Sequence, residues 1–346
     1  LPPTLPESSA TALSATLAPS ASPPTDAISQ PLIESNASSI LNISPSSILT
    51  IALCVIGLAF IALAIWKDWL RPGSFRRAIA ADGADRAAGD VSARLRVRSM
   101  EGVSALHAII FATTVFLFGG IATALAMPAP EMFGAREGTP AHLAILMGMT
   151  YAVTAPAALA MVFGFKLLTR THAGPSPTDR APELDWLDLR ASDAGTGLAL
   201  ALPTIGVCIL IGTAITAIAA AVGGPAPEQL AHTVLRQTMS AGFGWPIVVI
   251  AIAAAIGAPI VEEVMVRGFL QTGIRAASGS PWLAIGVSSV LFTMMHIGSV
   301  STHALPVIGA LSIILGILME RRGLWACIVV HIAFNSSQLL LAWLLF

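Results

Sequence analysis

The sequence predicts an all-α fold: a polytopic bundle of about eight transmembrane helices behind a disordered N-terminal tail. Three observations lead there. Hydrophobic residues make up 55% and charged residues 11% of the 346 positions, with a mean hydropathy of +0.80, whereas a water-soluble domain carries about 25% charged residues. Apolar runs long enough to cross about 30 Å of hydrocarbon recur along the chain. Residues 1–47, by contrast, are rich in Ser, Pro, Thr and Ala, hold three acids and lack Lys and Arg. Such a composition cannot bury a core.

The spans read from the apolar runs are 48–66, 104–127, 142–168, 197–222, 246–270, 282–297, 304–320 and 325–346. The sixth, which stops near His296, has the shortest apolar stretch. Organisation follows from where polar residues fall: a tail over 1–47, membrane helices and their loops over 48–240, and a C-terminal unit over 241–346 whose spans carry ionisable side chains. Segment 67–103 mixes acids and bases and reads as a solvated loop near anionic lipid, with a short amphipathic piece as the other reading. LDWLDLR (184–190) reads as an interfacial helix with Trp186 and its leucines toward the membrane. Gly206, Gly212, Gly309 and Gly316 are read as close-packing points between helices.

Basic residues orient the bundle. Fifteen of the eighteen Lys and Arg lie in 67–103, in 166–196 or at Arg275, Arg321 and Arg322, while the opposite loops hold only Arg136 and Arg236. Cytoplasmic loops collect Lys and Arg, so the tail and the C-terminus are expected outside the cell, and a bacterial inner membrane is the expected address. The N-terminal residue is Leu1, which a removed signal peptide or a trimmed chain explains equally. Asn36 and Asn42 head glycosylation triplets that would matter only in a eukaryotic host. The net charge of −1 and the lack of a basic, aromatic-interleaved patch argue against nucleic acid. No GxGxxG or GxxxxGK[ST] is present, which argues against nucleotides. Cys54, Cys208 and Cys327 lie singly in apolar runs and read as packing residues.

The fifth span carries the signal for chemistry. No charge occurs from Pro246 to Val261, and then Glu262 and Glu263 stand side by side, followed by Arg267. Ionisable groups at bilayer depth are costly and mark sites more often than scaffold. Adjacent helical side chains diverge by about 100°, so the glutamates face different ways. Glu263 and Arg267, at i,i+4, have the spacing of an ion pair, which leaves Glu262 free. Gly257 and Pro259 just upstream predict a kink that frees carbonyls. The sixth span adds Phe292-x-x-x-His296 and the eighth His331-x-x-x-Asn335, each pair on one helix face. Polar groups in hydrocarbon need partners. A carboxylate held away from bulk water suits a general base, and His or an Asn amide can stabilise an oxyanion. The set therefore suits activation of water for attack on a carbonyl. No Ser or Cys stands in a recognisable nucleophile setting. Glu262, His296 and His331 also match the ligand types of catalytic zinc, although the spacing is not HExxH; spacing leaves metal-bound and metal-free water both open. His107, His142, His172, His232 and His303 lie at span ends or in loops and receive no role.

At these residues the sequence resembles the CPBP (Abi-like) family of intramembrane proteases, which includes the type II CAAX prenyl endopeptidases and bacterial relatives in bacteriocin processing and self-immunity. EEVMVRG is similar to the family's EExxxR motif, FTMMH to FxxxH and HIAFN to HxxxN, in that order over roughly 246–340. The approach RRGLWACIVVH to the last motif is also similar. One departure is Val266, where typical members carry an aromatic; it alters packing but removes no functional group. The resemblance implies a protease core over 241–346 in which Glu262 activates water. His296 and His331 would position the water or stabilise the oxyanion, Asn335 would donate to the oxyanion, and Glu263, Arg267 and Phe292 would support them. It implies a membrane-anchored peptide or protein as substrate and a site open to the cytoplasm. A non-proteolytic immunity or scaffold protein of the same fold is the alternative. A transporter or proton relay is a third reading, opposed by the lack of an internal repeat and by the clustering of ionisable residues at one place.

Overall fold

The computed structural model describes residues 45–67, 69–71, 74–75, 104–171, 187, 191–224 and 244–345. Helices dominate them: α1 Pro45–Trp66, α2 Ala105–Ala126, the one-turn α3 Ala129–Met132, α4 Pro140–Thr171 and α5 Ala191–Ala221. They continue with α6 Trp245–Ser278, α7 Pro281–Met295, α8 Leu305–Arg322 and α9 Leu324–Leu345. Seven of these runs are long and apolar enough to cross a membrane. No named strand occurs among the described residues. The expected disordered tail, the amphipathic reading of 76–103 and most of the LDWLDLR segment lie outside the described residues. The first helix starts at Pro45, three residues before the expected span.

The sixth expected span needs correction. Its helix, α7, has 15 residues, about 22 Å at 1.5 Å per residue, short of the about 30 Å of hydrocarbon. Ser280 caps its start by accepting from the Leu283 amide, and Pro281 occupies the first turn, where a missing N–H costs nothing. It ends at His296, and a turn at Gly298 (φ 90°) leads toward α8. The outer face of α7 (Leu283, Val287, Val290, Leu291) is exposed, while Ser288, Ser289 and Phe292 face inward.

Glycines set two of the tightest crossings. On α1 and α5, Gly57 and Gly206 meet backbone to backbone, so that a Cβ on Gly206 would fall 2.5 Å from the Leu53 carbonyl oxygen. Gly316 of α8 likewise admits Ile285 and the Gln271 side chain, which a Cβ would meet at 3.0 and 3.2 Å. Gly309 is closely approached by Thr293, whereas Gly212 has ordinary van der Waals space, so the expectation of close packing fails there. Gly57, on α1, is the partner the apolar pattern did not single out.

α6 and α8 run side by side in the same direction. Arg267 meets Ser312, Gln271 meets the Gly316 carbonyl, and Arg275 meets Glu320, each pair one helical turn beyond the last. Gln271 also donates to Glu320 Oε1 at 3.0 Å, and the Ser288 hydroxyl of α7 donates to Gln271 Oε1 at 3.4 Å. All these side chains are buried. A polar seam thus fixes the rotation of α6 about its own axis, and with it the directions of Glu262 and Glu263. Beyond the seam, Arg321 lies over the Phe75 and Trp69 rings at 4.9 and 5.5 Å, and Phe75 packs on Trp282 at 5.1 Å. This contact holds the segment after α1 against the end of α8.

Candidate functional site

α6 is not a uniform α-helix. Two π-helical stretches interrupt it, Ala253–Gly257 and Val264–Gln271, on either side of the six α-helical residues Ala258–Glu263 that end in the two glutamates. Widening of this kind is rare and tends to occur at functional sites. Its local cause is legible at the first stretch. The Ala258 amide reaches back five residues to the Ala253 carbonyl. The same register would pair the Ala254 carbonyl with the amide of residue 259, but Pro259 has none. The orphan is satisfied from α9: Asn335 Nδ2 donates to the Ala254 oxygen at 2.9 Å. A buried carbonyl without a partner would cost about 1–3 kcal/mol, so the proline and the asparagine form one feature. The kink expected from Gly257 and Pro259 is realised as this π-turn. Gly257 also lets α4 approach, because a Cβ there would lie 2.6 Å from the Tyr151 Cβ.

The second stretch holds Arg267. Here the Thr272 hydroxyl donates to the Arg267 carbonyl at 3.2 Å. The Arg267 guanidinium is fully buried. Its Nε lies 3.2 Å from Glu263 Oε2, its Nη2 donates to Ser312 Oγ at 2.9 Å, and its plane covers the Phe292 ring at 5.1 Å. Nη1 has no hydrogen-bond partner. The i,i+4 ion pair expected from spacing is therefore present.

The two glutamates converge on one histidine. His331 Nδ1 is 2.8 Å from Glu263 Oε1, and its Nε2 is 3.8 Å from Glu262 Oε2. A carboxylate facing Arg267 accepts, so Nδ1 carries the proton of that bond and Nε2 is turned toward Glu262. At 3.8 Å the Glu262 contact is too long for a direct hydrogen bond. Burial separates the carboxylates: the Glu263 side chain is 0% exposed and that of Glu262 22%. Glu262 alone of the pair can be reached from outside the packed core.

His296 completes the ring of polar groups at the end of α7. Its Nδ1 donates to the Phe292 carbonyl at 2.8 Å, since a carbonyl can only accept, and again Nε2 is left for other use. Glu262 interacts electrostatically with His331 and with His296, and Tyr151 of α4 with Glu262. Phe292 is the shared floor, 4.7 Å from the His296 ring and 5.9 Å from that of His331, centroid to centroid. The structure thus gathers Glu262, Glu263, Arg267, Phe292, His296 and His331. Asn335, one turn beyond His331, uses one N–H on Ala254. Ser312 and Tyr151 join from helices to which the motif reading gave no part. A lone hydroxyl inside the apolar run of α8 was the available signal for Ser312; nothing local distinguished Tyr151.

Glu262, His296 and His331 are of the donor types zinc uses, but among the described residues no three His, Cys, Asp or Glu side chains form a group that could hold a metal ion.

Comparison with known families identifies the same region. Residues 243–337 match the family model described as type II CAAX prenyl endopeptidase Rce1-like, in agreement with the resemblance carried by the three motifs. No curated protein and no solved structure matches the chain.

Proposed function

We infer that residues 243–337, which match the type II CAAX prenyl endopeptidase Rce1-like model, form a domain of that kind in a protein whose described residues hold seven helices long and apolar enough to cross a membrane. From that premise we propose that the chain is an intramembrane endopeptidase that hydrolyses a peptide bond of a membrane-tethered substrate, CAAX-like or other, with water activated by Glu262. The observation that supports this best is the bridging position of His331, Nδ1 on Glu263 and Nε2 toward Glu262. It resembles the arrangement in which a buried carboxylate fixes the tautomer of a working imidazole.

In this reading a water beside His331 donates an O–H to Glu262 Oε2. Its lone pair is then directed at the substrate carbonyl carbon. As the new C–O bond forms, Glu262 takes one proton, and the carbonyl oxygen becomes an oxyanion. Asn335 keeps a second N–H beyond the one bonded to Ala254 and serves as an oxyanion donor, while His296 helps to position the water. Glu262 returns its proton to the leaving nitrogen, the C–N bond breaks, and the products are a carboxylic acid and an amine. Glu263 and Arg267 orient His331, and Phe292 holds both rings and the guanidinium in place.

The test is cleavage in proteoliposomes of a farnesylated CAAX-type peptide and of an unprenylated single-span peptide, in water enriched in ¹⁸O. One heavy oxygen is expected in the new carboxyl group of a cleaved peptide. Glu262→Gln is expected to lower the rate by about 10²–10⁴, the usual worth of a general base, and His331→Ala by a comparable amount. Undiminished cleavage in both variants would overturn the proposal.

A further inference from the structure

We propose that Ser312 of α8 is a positioning residue of the hydrolytic site, acting through Arg267 to keep Glu263 Oε1 available to His331; the inference rests on the endopeptidase reading above. An arginine facing a carboxylate tends to close on both oxygens with two parallel N–H bonds. Here it does not. Only Nε faces the carboxylate, at 3.2 Å from Oε2, while Nη2 is turned away to Ser312 Oγ at 2.9 Å. The other carboxylate oxygen is thereby left to His331 Nδ1 at 2.8 Å.

Ser312 is fully buried, as is Arg267, and among the described residues the Ser312 hydroxyl is the guanidinium's hydrogen-bond partner, Nε and Nη1 having none. The Phe292 ring at 5.1 Å fixes the plane of the guanidinium but not its rotation within that plane. Remove the hydroxyl and no nitrogen of the guanidinium has a hydrogen-bond partner in a dry setting, the condition under which an N–H bond to Glu263 is most favoured. Oε1 is the acceptor it would take. His331 would then lose the bond that selects its tautomer, and its Nε2 would no longer be reserved for Glu262 and the water. The seam below, Gln271 on Gly316 and Arg275 on Glu320, sets the register that brings Ser312 level with Arg267. α8, which carries none of the three motifs, thus also belongs to the site.

Two readouts test this. In the proteoliposome assay with the same peptides, Ser312→Ala is expected to lower kcat about tenfold with KM unchanged, from the loss of a hydrogen bond to a charged group. Ser312→Thr, which keeps the hydroxyl, is expected to recover most of that loss. The second readout needs no substrate: ¹⁵N spectra of the ring nitrogens of His331 in detergent. In the unaltered protein the protonated nitrogen is expected to be Nδ1 alone; in Ser312→Ala the two nitrogens are expected to exchange the proton, and in Ser312→Thr to return to the unaltered pattern. If Ser312→Ala lowers the unfolding midpoint yet leaves the His331 spectrum unchanged, Ser312 is packing only and the proposal is overturned. If no form cleaves either peptide, the endopeptidase reading suffers, while the ring spectra still decide the role of Ser312.

Discussion

Glu262 and Glu263 are adjacent in sequence and opposite in circumstance. Glu263 is fully buried against Arg267 and His331, so neutralising it leaves a buried guanidinium without its counter-charge. Glu263→Gln is expected to destabilise the folded protein by about 3–5 kcal/mol, the usual cost of breaking a buried pair from one side, visible as a large drop in the thermal midpoint in detergent. Glu262→Gln, partly exposed and 3.8 Å from its nearest basic partner, is expected to keep a midpoint near that of the unaltered protein while losing activity. Equal destabilisation by both substitutions would contradict this division. Part of it was legible in the sequence, because i,i+4 spacing names Arg267 as the partner of Glu263 and frees Glu262. The bond from Glu263 to His331 was not legible. It spans 68 residues and depends on where α9 lies against α6, which no local spacing encodes. Ser312 was hidden for the same reason, its partner being 45 residues away.

At the scale of the element, α6 shows how a proline can be made compatible with a membrane helix. Pro259 removes an amide, the π-turn Ala253–Gly257 absorbs the change of register, and Asn335 replaces the missing donor to Ala254. If that is what Asn335 does for the fold, its contribution to stability must depend on Pro259. Asn335→Ala is expected to cost about 1–2 kcal/mol in the native background and markedly less in Pro259→Ala, where a backbone amide is restored. A double-mutant cycle on thermal unfolding measures the coupling; additive effects would show the two residues to be independent. The sequence announced a break at Gly257 and Pro259 but not its form. A π-turn and a kink begin from the same missing hydrogen bond, and the packing of Tyr151 and Asn335 on the helix decides between them. α7 makes a related point. Its apolar residues suffice for a helix, but His296 ends it after 15 residues, so the composition of 282–297 signalled a helix and overstated its reach.

For the whole molecule, composition carried most of the fold, because in hydrocarbon only a helix satisfies its own backbone and apolar length then counts the spans. Orientation rests on a different term, the distribution of Lys and Arg, and it decides from which side water and substrate meet Glu262. The turn between α6 and α7 follows Arg275, and α8 ends in Arg321 and Arg322; the loop between α3 and α4 has Arg136 as its one basic residue. A helix that enters at Trp245 and leaves at Ser278 is therefore expected to have its C-terminal end in the cytoplasm, with α4 beginning on the outside. Single cysteines at the exposed positions Ser278 and Glu137 test this. Cys208 and Cys327 are buried and Cys54 is half-buried in α1, so they give a low background. In spheroplasts of a bacterial host, a membrane-impermeant maleimide is expected to label Glu137→Cys and to spare Ser278→Cys until the membrane is opened. The reverse pattern would invert the bundle and place the Arg-rich helix ends on the outer face.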